Sequence, residues 1–264
     1  MTRFIQAGKL RTAFEQQGAG PPLLLMHGAE ASRLMFAALM PHLAHHFTAI
    51  AYDQRDCGDT EGPEVSATLA DLADDAQQLI QALRLGRVHV FGSSFGGRVA
   101  QALALRYPDS IDRLVLGSTW PIPDTYEAVC PDAPRLAALR RQLPATASEL
   151  ARWFFPDEYL RQRPDLLSVF AGARPESASS IRRAATVQST LNDDLTALAA
   201  PTLLIAGELD RVVPARVTLS MTARLPGAQT AVLLGVGHAT ALQAPERLAR
   251  HLIRFLSDES QDKE

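Results

Sequence analysis

Two hydrophobic patterns alternate along this chain. Short unbroken apolar runs, such as Leu23-Leu24-Leu25-Met26 and Leu203-Leu204-Ile205-Ala206, suit strands covered on both faces. Between them lie longer stretches with apolar residues three and four apart. One of these carries Leu69, Leu72, Ala76, Leu79, Ile80 and Leu83 on a single face. Thr68 with Asp71 three residues on opens it like a capping box, and Gly86 stops it. The spacing predicts further helices over residues 36–45, 95–107, 215–225 and 245–256. Strands are predicted over 48–52, 87–92, 112–117, 201–207 and 229–234. Residues 3–7 and 10–17 read as an antiparallel pair ahead of the Gly-Ala-Gly-Pro-Pro turn at 18–22.

Alternating strands and helices imply an α/β fold with a mostly parallel central sheet and helices on both faces. The alternation breaks at Thr119. From there to about Asp194 the chain is rich in Pro, Ala and Arg, with helical patches at 135–142 and 149–155 and no strong strand. We therefore divide the chain into a core of residues 1–118 and 195–264 and a helical lid insertion of 119–194. Ligands of such sheets bind at the carboxyl ends of the strands, so an insertion at that edge would roof the site.

Length and composition sharpen this picture. The 264 residues suffice for one large α/β domain, and the 47% apolar content supplies its core. A net charge of −3 with no basic cluster argues against nucleic-acid binding. No stretch of 18 apolar residues predicts a membrane helix, and residues 1–8 lack the basic-then-apolar pattern of a secretory signal. Cys57 and Cys130 match no zinc spacing and read as free thiols, which suits a cytoplasmic protein. The polar tail 257–264 is expected to fray.

The chemistry concentrates at Gly92-Ser93-Ser94-Phe95-Gly96, a G-x-S-x-G pattern. Three fixed positions recur by chance in roughly one chain in ten of this length, so the context decides. A predicted strand precedes Ser94 and a helix begins directly after it. That geometry lifts a hydroxyl clear of a sheet at a helix N-terminus, where developing negative charge is favoured. The bland alternative is a serine that merely caps a helix. A serine nucleophile needs a histidine base held by a carboxylate. Of seven histidines, His42, His45 and His46 read as surface residues, His89 as core, His251 as part of the last helix and His27 as structural. His238, in the glycine-rich loop after the last strand, is the candidate base. Asp210, at the end of the preceding strand, is the candidate acid; Glu208 competes closely and Asp124 more weakly. The order Ser, acid, His suits this strand arrangement. Two backbone amides should hold the oxyanion: Phe95 after the nucleophile, and Ala29 in the loop after His27-Gly28.

Together, His27-Gly28, Asp53-Gln54-Arg55, the Ser94 elbow, Gly207-x-x-Asp210 and Gly237-His238 resemble the α/β-hydrolase superfamily, over residues 20–118 and 195–256. Within it the chain is most similar to small esterases, enol-lactonases, proline iminopeptidases and carbon–carbon bond hydrolases. The resemblance implies a Ser94–His238–Asp210 triad with no metal or organic cofactor. Serine at position 94 argues against the dehalogenases and epoxide hydrolases of this fold, which use aspartate. Two departures stand out. The Ala29-Glu30-Ala31-Ser32 loop lacks a glycine that many relatives carry, and Asp56 stands where relatives often have Gly.

The expected activity is hydrolysis of a small-molecule carboxylic ester or lactone. A carbon–carbon hydrolase of ring-cleavage diketones and a catalytically silent binding protein are the alternatives. Trp120, Phe154 and Phe155 are candidate substrate-lining residues, with helix packing as the competing role. Arg33 and Arg98 are candidates to meet a substrate carboxylate. The expected partner is a small-molecule substrate, and a homodimer is compatible with the sequence.

Overall fold

The fold is built on one eight-stranded sheet, seen in a computed structural model that describes residues 1–171 and 177–257. The chain runs β1 (Arg3–Ala7), β2 (Leu10–Gln17), β3 (Pro22–Met26), α1 (Met40–Leu43), β4 (Thr48–Tyr52), α2 (Leu69–Ala82), β5 (Val88–Ser93), α3 (Phe95–Arg106) and β6 (Ile111–Gly117). Six helices follow in the described residues: α4 (Tyr126–Val129), α5 (Ala133–Arg141), α6 (Ala147–Phe154), α7 (Asp157–Gln162), α8 (Asp165–Ala171) and α9 (Ala178–Gln188). The chain then returns to the sheet with β7 (Thr202–Gly207), α10 (Ala215–Ser220), β8 (Gln229–Leu233), α11 (Thr240–Gln243) and α12 (Pro245–Leu256).

The spatial order is β1-β2-β4-β3-β5-β6-β7-β8. The β1–β2 and β2–β4 pairs are antiparallel and every later pair is parallel. Successive residues of β3 enter opposite cores. Leu24 joins the cluster under α2 and α3, while Leu23 and Leu25 join the one under α1 and α12. Such strands are therefore apolar throughout rather than alternating. The chain crosses from β4 over β3 to β5, so strand order reverses at β3. The His27-Gly28 and Ser94 turns lie at that point, beyond the carboxyl ends of β3 and β5, which is where sheets of this kind bind their ligands.

Local chemistry explains the element boundaries. Thr68 accepts the Asp71 N–H and Asp71 accepts the Thr68 N–H, the reciprocal cap that opens α2. Burial of Leu69, Leu72, Leu79 and Ile80 then fixes its face, at about 1.5–3 kcal/mol each. The helix expected over 36–45 is instead a 3-10 turn at Arg33–Phe36, capped by Ser32, followed by the single turn α1. Pro41 lacks the N–H that a continuous helix would need there, and it sits in the first turn of the restarted one. The helix expected over 215–225 likewise tightens after Ser220 into a 3-10 turn at Met221–Ala223. The tail 258–264 lies outside the described residues. Among the described residues, no helix is long and apolar enough to cross a membrane.

Candidate active site

The backbone turns sharply where β5 meets α3. Ser94 has φ 56° and ψ −124°, a region costly for any residue with a side chain. The surroundings over-determine it: the Ser94 N–H donates to Gly117 O at 2.8 Å, and the Ser94 carbonyl accepts from the Thr119 hydroxyl at 2.7 Å. The flanking glycines permit the approach. A Cβ at Gly96 would collide with the Met26 and His27 carbonyls, and one at Gly92 with the Gly96 carbonyl.

His238 and Asp210 converge on this turn from the loops after β8 and β7. Ser94 Oγ lies 3.0 Å from His238 Nε2, and His238 Nδ1 lies 2.9 Å from Asp210 Oδ2. Asp210 is buried, and its second oxygen accepts the Val212 and Val213 N–H groups at 2.9 and 2.8 Å. The carboxylate thus faces the imidazole with its acceptor. Nδ1 carries the proton, and Nε2 is left to accept from the serine. Glu208 is turned away and accepts the Gly235 N–H at 2.8 Å. Asp124 pairs with Arg224 at 3.3 Å. A surface cavity of about 400 Å³ opens behind the acid, lined by Trp153, Asp210, Arg211 and Arg216, and does not include Ser94.

Gly28 lies directly against the serine: a Cβ there would sit 3.4 Å from Ser94 Cβ and 3.8 Å from its Oγ. This brings the Ala29 loop beside Ser94. Phe95 begins α3, so its N–H belongs to the unpaired first turn of the helix. His27 anchors the loop from below. Its Nε2 accepts the Gln54 N–H at 3.1 Å and its Nδ1–H donates to Gly28 O at 2.8 Å. Burial first, and then the charge of Arg183, push its pKa down to about 3, so it stays neutral. Asp53 braces the neighbouring turn through Arg33 and the Asp59 N–H. Asp56 takes a left-handed φ of 59° there. The Cys57 thiol is pushed up by burial, opposite to the direction a reactive thiol needs.

The candidate lining residues separate. Phe154 stands beside the histidine, ring centroids 5.5 Å apart, and its carbonyl accepts the His238 N–H at 2.9 Å. Phe155 packs with Tyr159 and Phe170 in a satellite cluster. Trp120 is buried against Tyr126, with Arg98 over its ring. The two arginines expected near a substrate carboxylate are internal braces instead. Arg33 is buried among Asp53, Asp59, Glu15 and Thr2. Arg98 donates to the carbonyls of Val187, Ser189, Ile122 and Asp124, tying the helical segment to α3.

Sequence reasoning missed Arg183. It reaches from α9 to the Ala29 carbonyl at 3.1 Å and to Gln54 Oε1 at 3.0 Å, with its guanidinium 4.7 Å from the Phe95 ring centroid.

Known proteins match along nearly the whole chain. A 2-hydroxymuconate semialdehyde hydrolase of Pseudomonas putida is 31% identical over 97% of this chain and 94% of its own length. A thermophilic esterase from Thermogutta terrifontis, solved with malate bound, is 28% identical with a TM-score of 0.81, covering 97% of this chain and 98% of that one. A meta-cleavage product hydrolase from Pseudomonas fluorescens IP01, solved as a mutant with acetates, is 26% identical with a TM-score of 0.78, covering 97% of both chains. The alpha/beta hydrolase fold model matches residues 21–245, and the chain belongs to that family.

Proposed function

We propose that the protein is a serine hydrolase that cleaves a carboxylic ester or lactone of a small molecule through an acyl-enzyme. The observation that carries this reading is the unbroken relay from Ser94 Oγ through His238 to Asp210, at 3.0 and 2.9 Å. Ser94 Oγ attacks the carbonyl carbon as its proton passes to His238 Nε2. Asp210 holds the Nδ1–H and stabilises the imidazolium that forms. In this reading the Ala29 and Phe95 amides hold the oxyanion as it develops. His238 then gives its proton to the leaving oxygen. A water, deprotonated by the same Nε2, releases the acid and restores Ser94. No step in this sequence calls for a metal.

A second reading, a carbon–carbon bond hydrolase, is favoured by the similarity to the 2-hydroxymuconate semialdehyde and meta-cleavage product hydrolases. In that case the leaving group is a carbon, which His238 protonates. Steady-state hydrolysis of p-nitrophenyl esters, a lactone and a ring-cleavage dienone, by the native chain and Ser94→Ala, separates the two. Ester or lactone turnover that disappears in Ser94→Ala supports the first reading. Turnover confined to the dienone supports the second. Ester turnover that survives in Ser94→Ala rules out the proposed nucleophile.

A further inference from the structure

The end of β6 grips the nucleophile turn from both sides. Gly117 O accepts the Ser94 N–H at 2.8 Å, and the Thr119 hydroxyl donates to the Ser94 carbonyl at 2.7 Å. Ser118 stands between them with a left-handed φ of 47°, which is costly for a residue with a side chain. Its own hydroxyl is buried without a partner, so the strain gains Ser118 no side-chain contact. The strained residue turns the chain so that a carbonyl on one side of it and a hydroxyl on the other both reach Ser94. Thr119 is fixed in turn by Thr218 of α10, whose hydroxyl accepts the Thr119 N–H at 3.0 Å and donates to the Thr119 carbonyl at 2.8 Å. Both threonines are fully buried. A Cβ on Gly97 would lie 2.6 Å from Thr119 Oγ1, so only glycine admits the threonine at this distance.

The Ser94 carbonyl is one end of a planar peptide unit whose other end is the Phe95 N–H. The two point in opposite directions across a bond that does not rotate, so a group that fixes the carbonyl also aims the amide. The carbonyl accepts two bonds, from Thr119 Oγ1 and from the Gly97 N–H at 2.9 Å, which fills both its lone pairs. Bonds accepted there also polarise the amide and strengthen its N–H as a donor. We propose that Thr119 is a positioning residue for the oxyanion. Its hydroxyl sets the aim and donor strength of the Phe95 N–H, and Thr218 holds it in place. It acts through the main chain of Ser94 rather than through a side chain of the triad. This role rests on the hydrolase reading, in which the Phe95 amide meets the oxyanion.

The test compares the native chain with Thr119→Val, which loses the hydroxyl but keeps the branched shape, and Thr119→Ser, which keeps the hydroxyl. The substrates are p-nitrophenyl acetate and its thiono analogue, O-p-nitrophenyl thioacetate. In both, Ser94 Oγ bonds to the reacting carbon, its proton passes to His238 Nε2, and the electron pair of the double bond moves onto oxygen or sulfur. Collapse of that intermediate expels p-nitrophenolate in either case. Sulfur is a weak hydrogen-bond acceptor, so the thiono ester draws little from the Phe95 amide.

Thr119→Val should lower kcat for the oxygen ester about 10- to 100-fold with little change in KM, less than the loss of a whole donor because Gly97 still holds the carbonyl. The thiono ester should lose far less, so the oxygen-to-sulfur ratio of kcat/KM falls at least about 5-fold, and Thr119→Ser restores most of it. A threonine that only supports the fold would lower both rates together and leave the ratio unmoved. That result overturns the proposal, as does native kcat in Thr119→Val. Should Thr119→Val not fold, Thr119→Ala is the hydroxyl-free variant read against Thr119→Ser. A native chain that hydrolyses the thiono ester as fast as the oxygen ester overturns the proposal without any variant. If the native chain accepts only the ring-cleavage dienone, kcat is read on that substrate: loss in Thr119→Val with recovery in Thr119→Ser supports the role, and native kcat in both overturns it. All of these outcomes leave Ser94 as the nucleophile. Ester turnover that survives in Ser94→Ala, or no turnover of any substrate by the native chain, sinks the hydrolase reading and the role of Thr119 together.

Discussion

Asp210→Asn changes one atom of the relay, and the structure dictates which one. Asp210 Oδ1 accepts the Val212 and Val213 N–H groups at 2.9 and 2.8 Å. An asparagine must keep its carbonyl oxygen there, since turning its NH2 toward them would set donors against donors. The NH2 therefore faces His238 Nδ1, which now has to accept. The ring proton moves to Nε2, 3.0 Å from Ser94 Oγ, and the base becomes a donor pointing at its own nucleophile. The expected loss is about 10³- to 10⁴-fold in kcat with little change in KM. That is roughly 4–5 kcal/mol of transition-state stabilisation. Both main-chain bonds survive, so the melting temperature should move by only a few degrees. Asp210→Ala, by contrast, strands two buried N–H groups at about 1–3 kcal/mol each and should melt clearly lower. The assay is p-nitrophenyl ester turnover alongside thermal melts of the three proteins. An asparagine variant that keeps more than about a tenth of native kcat would refute Asp210 as the orienting acid.

Other consequences follow from the same contacts. His27 is held neutral, its pKa lowered from 6.5 to about 3, so only the unfolded chain takes up its proton between those values. Its contribution to stability is complete above pH 6.5 and is lost as pH falls toward 3, at up to about 1.4 kcal/mol per pH unit. Urea melts from pH 7 to 5 should show a steeper slope for the native chain than for His27→Gln; equal slopes would contradict the neutral assignment. Arg98→Met strands four carbonyls that tie the helical segment to the core, and we expect a loss of about 3 kcal/mol with early proteolysis between residues 119 and 194. Uniform proteolysis at native rates would show that the brace is dispensable. Gly96→Ala drives a methyl into the Met26 and His27 carbonyls and should cost more than about 3 kcal/mol, or prevent folding. A native melting temperature would mean that the turn relaxes more easily than its packing implies.

The sheet was readable in the sequence because fully covered parallel strands leave unbroken apolar runs. Each of the strands expected from 48–52 onward is present within a residue or two. Ser94, Asp210 and His238 could be singled out because each stands at a strand end, where glycines mark the turns. Other features left weaker signals. Pro41 divides residues 36–45 into two short turns, since one missing N–H outweighs good apolar spacing. Arg33 and Arg98 invited a substrate role by residue type alone, and only the fold shows that they turn inward, to Asp53 and to four carbonyls. Arg183 was hidden because the pattern on α9 runs against ordinary burial. Ile181 is 57% exposed while Arg183 and Thr186 face inward. A hydrophobic-face reading turns that helix the wrong way, because the inward arginine is held by Ala29 O, Gln54 Oε1 and the Phe95 ring rather than by apolar packing alone.

The most direct test of the account is intact-mass and peptide-mapping spectrometry after treatment with a fluorophosphonate, on the native chain and His238→Ala. One phosphonyl adduct per chain is expected, mapped to Ser94, with labelling strongly slowed when His238 is removed. No adduct on the native chain, or one that maps to a different serine, would contradict the triad at its first atom.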